Sequence, residues 1–154
     1  MIQRIQSIYL FIVFILTALL FLFPLAEFLP ADLDHYSFKF NKIIQDSNIN
    51  PIRYASTFEV GALIAVISLM SLIIIFLYKK RTIQMRLCLY NTILLVALAV
   101  IIVIYSILAV KDLEAKFMFK FASAFILISI ILSILAFIKI RQDEQLIRGL
   151  DRIR

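Results

Sequence analysis

The sequence predicts an all-α membrane protein: an antiparallel bundle of four transmembrane helices with a small extracytoplasmic loop cap after the first. Three observations predict it. First, 64% of the 154 residues are hydrophobic and only 17% are charged, against about 45–50% and about 25% in soluble domains. A soluble globule of this size cannot hide that much apolar surface. Second, four runs are apolar over a length that crosses about 30 Å of hydrocarbon at about 1.5 Å per residue. Third, Lys and Arg are distributed unevenly between those runs. The same composition excludes disorder, which needs low hydrophobicity and high charge. Two glycines and three prolines exclude collagen-like or loop-dominated architectures, and one cysteine, Cys88, excludes an intrachain disulfide framework.

The expected spans, all within one domain of residues 1–154, are 8–26, 58–78, 87–110 and 117–138. None contains Arg or Asp, and Glu59 lies at the very start of the second. Strands of a β-barrel would alternate with polar residues, whereas Leu72-Ile73-Ile74-Ile75-Phe76-Leu77 is apolar on all sides. Arg4 followed by an apolar run has the form of a signal peptide. The run from Ile8 to Phe23, however, exceeds the roughly 7–15 residues of an apolar signal core, and Leu29-Pro30-Ala31 is a poor cleavage site. The first span is therefore expected to remain as an anchor.

Residues 27–57 form a loop of 31 residues with Pro30 and Pro51 near its ends. Within it Tyr36-Ser37-Phe38-Lys39-Phe40 alternates apolar and polar, the period of a short strand with its aromatics on one face. A cap or hairpin lying on the helix ends is expected. The alternative is an aromatic segment at headgroup level without a fixed strand. The next two connections have about 8 and about 6 residues, so spans two, three and four are sequential antiparallel neighbours. Gly61 and Ala65 give a small-xxx-small pattern on span two, and Ala97 lies in span three, for close packing expected within the chain. From Lys139 onward helix four is expected to continue as an amphipathic basic tail. There Leu146, Ile147, Leu150 and Ile153 form an apolar stripe, and Glu144, Arg148 and Arg152 form an i, i+4 ladder. Gly149 weakens that helix locally.

Ten of the basic residues (Arg4, Lys79, Lys80, Arg81, Arg86, Lys139, Arg141, Arg148, Arg152 and Arg154) fall on one side of these spans and six on the other, giving net charges of +7 and −1. The positive-inside rule then places both chain ends and the Lys79-Lys80-Arg81 loop on the cytoplasmic side. An even number of spans agrees.

Chemistry is sparse. Asp32-x-Asp34-His35 offers three potential ligands within four residues, too close to converge on one metal ion without a distant fourth, and is read as solvated loop. Phosphate-loop, dinucleotide, zinc-protease and nucleophile-elbow motifs are absent, so no cofactor, metal or catalytic site is expected, and the chain reads as a non-enzyme. Glu59, near Lys116 and Lys120 on the outer face, is the candidate intramembrane polar site. Asn91, Thr92, Ser68, Ser71, Ser123, Ser129 and Ser133 are expected to bond across the bundle or back to their own helices. The basic loop lacks interleaved aromatics, so direct nucleic-acid binding is not expected, and Cys88 reads as a small buried hydrophobe. Arg141, Arg148, Arg152, Arg154, Leu146 and Leu150 are the candidate contacts to membrane lipids or to other membrane proteins. The resulting expectation is an accessory or scaffold subunit of a larger envelope complex. A small oligomeric transporter or channel built on Glu59 is the alternative.

The opening Met1-Ile2-Gln3-Arg4-Ile5-Gln6-Ser7-Ile8-Tyr9-Leu10 and the closing Lys139-Ile140-Arg141-Gln142-Asp143-Glu144-Gln145-Leu146-Ile147-Arg148-Gly149-Leu150-Asp151-Arg152-Ile153-Arg154 resemble the ends of an uncharacterised four-span membrane family of the Bacteroidota, domain of unknown function 4293. The chain departs at Gly149-Leu150, where a small polar residue such as Ser would fit that family's pattern. The resemblance implies an inner-membrane location and supplies no activity or binding residues.

Overall fold

In a computed structural model the described residues are 3–29, 36–40, 42–45, 53–77, 80–113, 116–119 and 121–151. Their order is α1 (Gln3–Leu19), β1 (Ala26–Leu29), β2 (Tyr36–Lys39), β3 (Lys42–Gln45), β4 (Arg53–Ser56), α2 (Phe58–Phe76), α3 (Arg81–Leu113), β5 (Lys116–Phe119) and α4 (Phe121–Asp151). Each helix packs on the next and α1 packs on α4, which closes a ring of four. The start of α1, the end of α2, the start of α3 and the end of α4 lie at one end of the bundle, and the strands lie at the other.

The packing seam has one rule in all four helices. Buried positions recur at alternating intervals of four and three residues: Gln6, Leu10, Val13, Thr17 and Leu20 in and just after α1; Val60, Ile64, Ile67, Ser71 and Ile74 in α2; Cys88, Asn91, Leu95, Leu98 and Ile102 in α3; and Ala122, Ile126, Ser129, Ser133, Ala136 and Ile140 in α4. A seven-residue repeat keeps one line of side chains facing its neighbours and favours the shallow left-handed crossing of coiled coils and four-helix bundles. The opposite faces carry Phe11, Leu69, Ile73, Val100, Ile131 and Ile134, all exposed. An apolar exterior of that extent belongs in hydrocarbon, and the chain is accordingly a multi-pass membrane protein.

Among the described residues three helices are long and apolar enough to cross a membrane: Phe58–Phe76, Thr82–Lys111 and Phe121–Gln145. At 17 residues α1 is shorter, about 26 Å. A tighter closing turn extends it, in which Leu20, Phe21 and Leu22 donate to the carbonyls of Thr17, Ala18 and Leu19 at 3.0–3.2 Å. Pro24, which has no N–H to give, follows that turn. The first helix thus lies earlier than the expected 8–26. The fourth also differs from expectation: residues 116–119 are a strand, so α4 begins at Phe121. It then continues past the apolar run to Asp151, through Gly149, as the tail pattern predicts.

The cap is larger than one strand or hairpin. Five antiparallel strands lie in the order β4-β3-β2-β1-β5, and β1 joins the long loop to the α3–α4 connection. Ala26 pairs with Phe38 and Phe38 with Ile43, a cross-strand row that is entirely buried against the helix ends. The alternation around Phe38 is therefore real, although Phe40 falls in the turn after β2 rather than on the strand. Gly61 lies at a close contact between cap and helices. A Cβ there would stand 3.1 Å from both the ring and the carbonyl oxygen of Phe40. The small residue at position 61 thus admits a loop backbone, a partner different from the neighbouring helix that the small-xxx-small pattern suggests.

Candidate functional site

Polar side chains of the bundle collect on the seam. In the half nearer the chain ends, the Asn91 amide donates to the Ser71 hydroxyl at 3.0 Å, and Ser71 donates to the Ile67 carbonyl at 2.9 Å. Between α3 and α4, Thr92 and Ser133 share a hydrogen bond of 2.7 Å, and the Cys88 thiol approaches the Ser133 carbonyl at 3.6 Å. Cys88 is fully buried, as a small hydrophobe would be. Thr17 and Ser106 instead return to their own helices, to the Val13 carbonyl at 2.9 Å and the Ile102 carbonyl at 2.7 Å. Two buried atoms in this seam, Asn91 Oδ1 and Ser129 Oγ, have no partner among the described residues. An amide carbonyl held in this way can accept a hydrogen bond, from a trapped water for example.

The end bearing the chain termini is tied by longer side chains that sequence reasoning did not single out. Gln84 is buried at the start of α3 and donates to the Ile74 carbonyl at 3.2 Å. Ile74 belongs to the last turn of α2, whose carbonyls have no helical partner, so Gln84 caps the preceding helix. Gln6, buried in α1, donates to the Asp143 carboxylate, and Thr82 bonds Glu144 at 3.3 Å. The second turn of the α4 extension is thereby fastened to both α1 and α3. The signal was present in the sequence as spacing: Gln84, Cys88 and Asn91 are four and three residues apart, on the seam rhythm.

Of the candidate contacts in the tail, Arg141 is exposed on α4. Leu146, Arg148 and Leu150 lie on the α4 backbone with their side chains outside the described residues, and Arg152 and Arg154 lie outside them altogether. So do Asp32, Asp34 and His35. Among the described residues no three His, Cys, Asp or Glu side chains are grouped to hold a metal ion.

At the sheet end Glu59 sits exposed in the first turn of α2, where the positive end of the helix dipole favours a carboxylate. Its partner is the Tyr105 hydroxyl of α3 at 3.5 Å, a long bond. The Tyr105 ring also leans on Phe38 of the cap, with centroids 6.3 Å apart. Lys116 and Lys120, the partners expected from sequence, have side chains outside the described residues. Beside this cluster an apolar groove of about 530 Å³ runs between α3 and α4 beneath β1.

No curated protein matches the chain. Residues 2–153 match the family described as Domain of unknown function (DUF4293). That match covers nearly the whole chain, from the first turn of α1 through the α4 extension, so the protein is a member of the DUF4293 family.

Proposed function

We propose that the chain is a non-enzymatic integral protein of a bacterial inner membrane, with both chain ends in the cytoplasm and the sheet outside, serving as an accessory or scaffold subunit of a larger envelope complex. The observation that carries this reading is the α4 extension. Thirteen residues beyond the apolar run, Lys139–Asp151, remain helical, about 20 Å of helix. Their second turn is pinned by Gln6–Asp143 and Thr82–Glu144. A helix held in this way presents Arg141 without the ordering cost a free tail incurs on binding. At the other end β4 and β5 are the outer strands of the sheet among the described residues, and the edge of a sheet is where a partner strand can add.

Crosslinking in native membranes, followed by purification in mild detergent, tests the proposal. The expected result is a stoichiometric membrane-protein partner that is lost when the chain is truncated after Gln142, with insertion retained. A monodisperse monomer carrying no partner in either form contradicts it.

A further inference from the structure

The floor of the groove between α3 and α4 is apolar, with the small side chains Ala26, Ala99, Ser106 and Ser123 set among larger aliphatic ones such as Ile102 and Ile126. The Ser106 hydroxyl is turned back onto the Ile102 carbonyl, so it adds little polarity. Along α3 the groove runs from Ala99 to Lys111, about 18 Å at about 1.5 Å per residue, which is close to the depth of one leaflet of a roughly 30 Å hydrocarbon core. Its lining is almost wholly apolar over a volume of about 530 Å³, and one leaflet is the depth that a single acyl chain spans. The length and the lining suit one unbranched hydrocarbon chain. At its mouth stands Lys111, exposed in the last turn of α3.

We propose that this groove binds one acyl chain of an anionic phospholipid from the leaflet on the sheet side, with the Lys111 ammonium pairing the headgroup phosphate. Chain length and charge are matched separately: the apolar floor takes the chain, and the lysine takes the charge at the height where a headgroup lies. The site is independent of any subunit role.

The chain contains no Trp, so Ile107→Trp, in the groove wall, gives the full-length protein a single fluorescent reporter. Leu69→Trp, on the exposed face of α2, is the control for bulk lipid. In phosphatidylcholine vesicles, brominated-chain phosphatidylglycerol is expected to quench Ile107→Trp with about fivefold higher apparent affinity than brominated phosphatidylcholine, the size of one lysine–headgroup attraction, and to show no preference at Leu69→Trp. Adding Lys111→Gln, or filling the floor with Ala99→Phe, should abolish the preference at Ile107→Trp. Unchanged quenching of Leu69→Trp in the same backgrounds verifies that the bundle is intact. Equal quenching by the two lipids with Lys111 present overturns the proposal, as does a preference that survives either substitution. Protection of Ile107→Trp from both lipids, with Leu69→Trp quenched normally, overturns it in favour of a second protein chain on this face.

Discussion

The side-chain amide of Asn91 on α3 donates to the hydroxyl of Ser71 on α2 at 3.0 Å, while the amide's own carbonyl oxygen is buried without a partner among the described residues. Interhelical bonds of this kind in membranes contribute about 0.6 kcal/mol on average and up to about 1.7. A double-mutant cycle with Asn91→Ala and Ser71→Ala, read by reversible unfolding in detergent, is expected to give a coupling of about 0.5–1.5 kcal/mol. Zero coupling would mean that the two helices do not meet through these groups.

Gly61→Ala tests how the sheet is seated. Helix propensity alone favours Ala by about 1 kcal/mol. The added methyl meets the Phe40 carbonyl at 3.1 Å, and a backbone atom in a strand-connecting turn yields less readily than the end of a side chain. A net loss of about 1–2 kcal/mol is expected from this overpacking. Phe40→Ala should restore only part of it, since it removes the ring and leaves the carbonyl. A stabilised Gly61→Ala would show that the cap stands off the helices.

Gln84→Leu removes the buried donor to the Ile74 carbonyl. The expected penalty is about 1–3 kcal/mol for an unsatisfied buried acceptor, with faster amide exchange in the last turn of α2. Thr82→Ala, at an exposed neighbour, should stay within about 0.5 kcal/mol of the parent.

Asp143→Ala releases the α4 extension from Gln6. A hydrogen bond to a charged acceptor contributes about 1.5–3 kcal/mol, so tryptic cleavage after Arg148 in detergent should accelerate by roughly tenfold or more. Asp143→Asn, which keeps an acceptor but loses the charge, should be cleaved at a rate between those of the parent and Asp143→Ala. Equal cleavage in all three proteins would mean that the extension is not pinned.

The sequence made the helices legible because lipid-crossing segments announce themselves by uninterrupted apolarity, as Leu72 to Leu77 does. That same uniformity concealed the seam. Val60 faces the core and Leu69 faces lipid, yet no hydropathy pattern separates them, and the better guide is the four-three spacing of the polar residues Gln84, Cys88 and Asn91. β2 was legible from the alternation around Phe38. β1 and β5 were not, because Ala26–Leu29 and Lys116–Phe119 abut apolar spans and a hydropathy window merges strand with helix. Their pairing, Glu27 with Met118 and Phe28 with Phe117, joins segments about ninety residues apart in sequence, a relationship that no local pattern encodes. Glu59 was placed correctly in the first turn of its helix by sequence, but its bond to Tyr105 depends on how α2 and α3 align. The groove depends on how the small residues of β1, α3 and α4 meet.

In the proposed topology four crossings put the sheet on one side of the membrane and both chain ends on the other. In a Cys88→Ala background, Lys39→Cys on β2 and Gln145→Cys on the α4 extension are treated in intact cells with a membrane-impermeant thiol reagent. With this topology Lys39→Cys is expected to label at once and Gln145→Cys only after the membrane is permeabilised. Labelling of both positions from outside, or of Gln145→Cys alone, would contradict it.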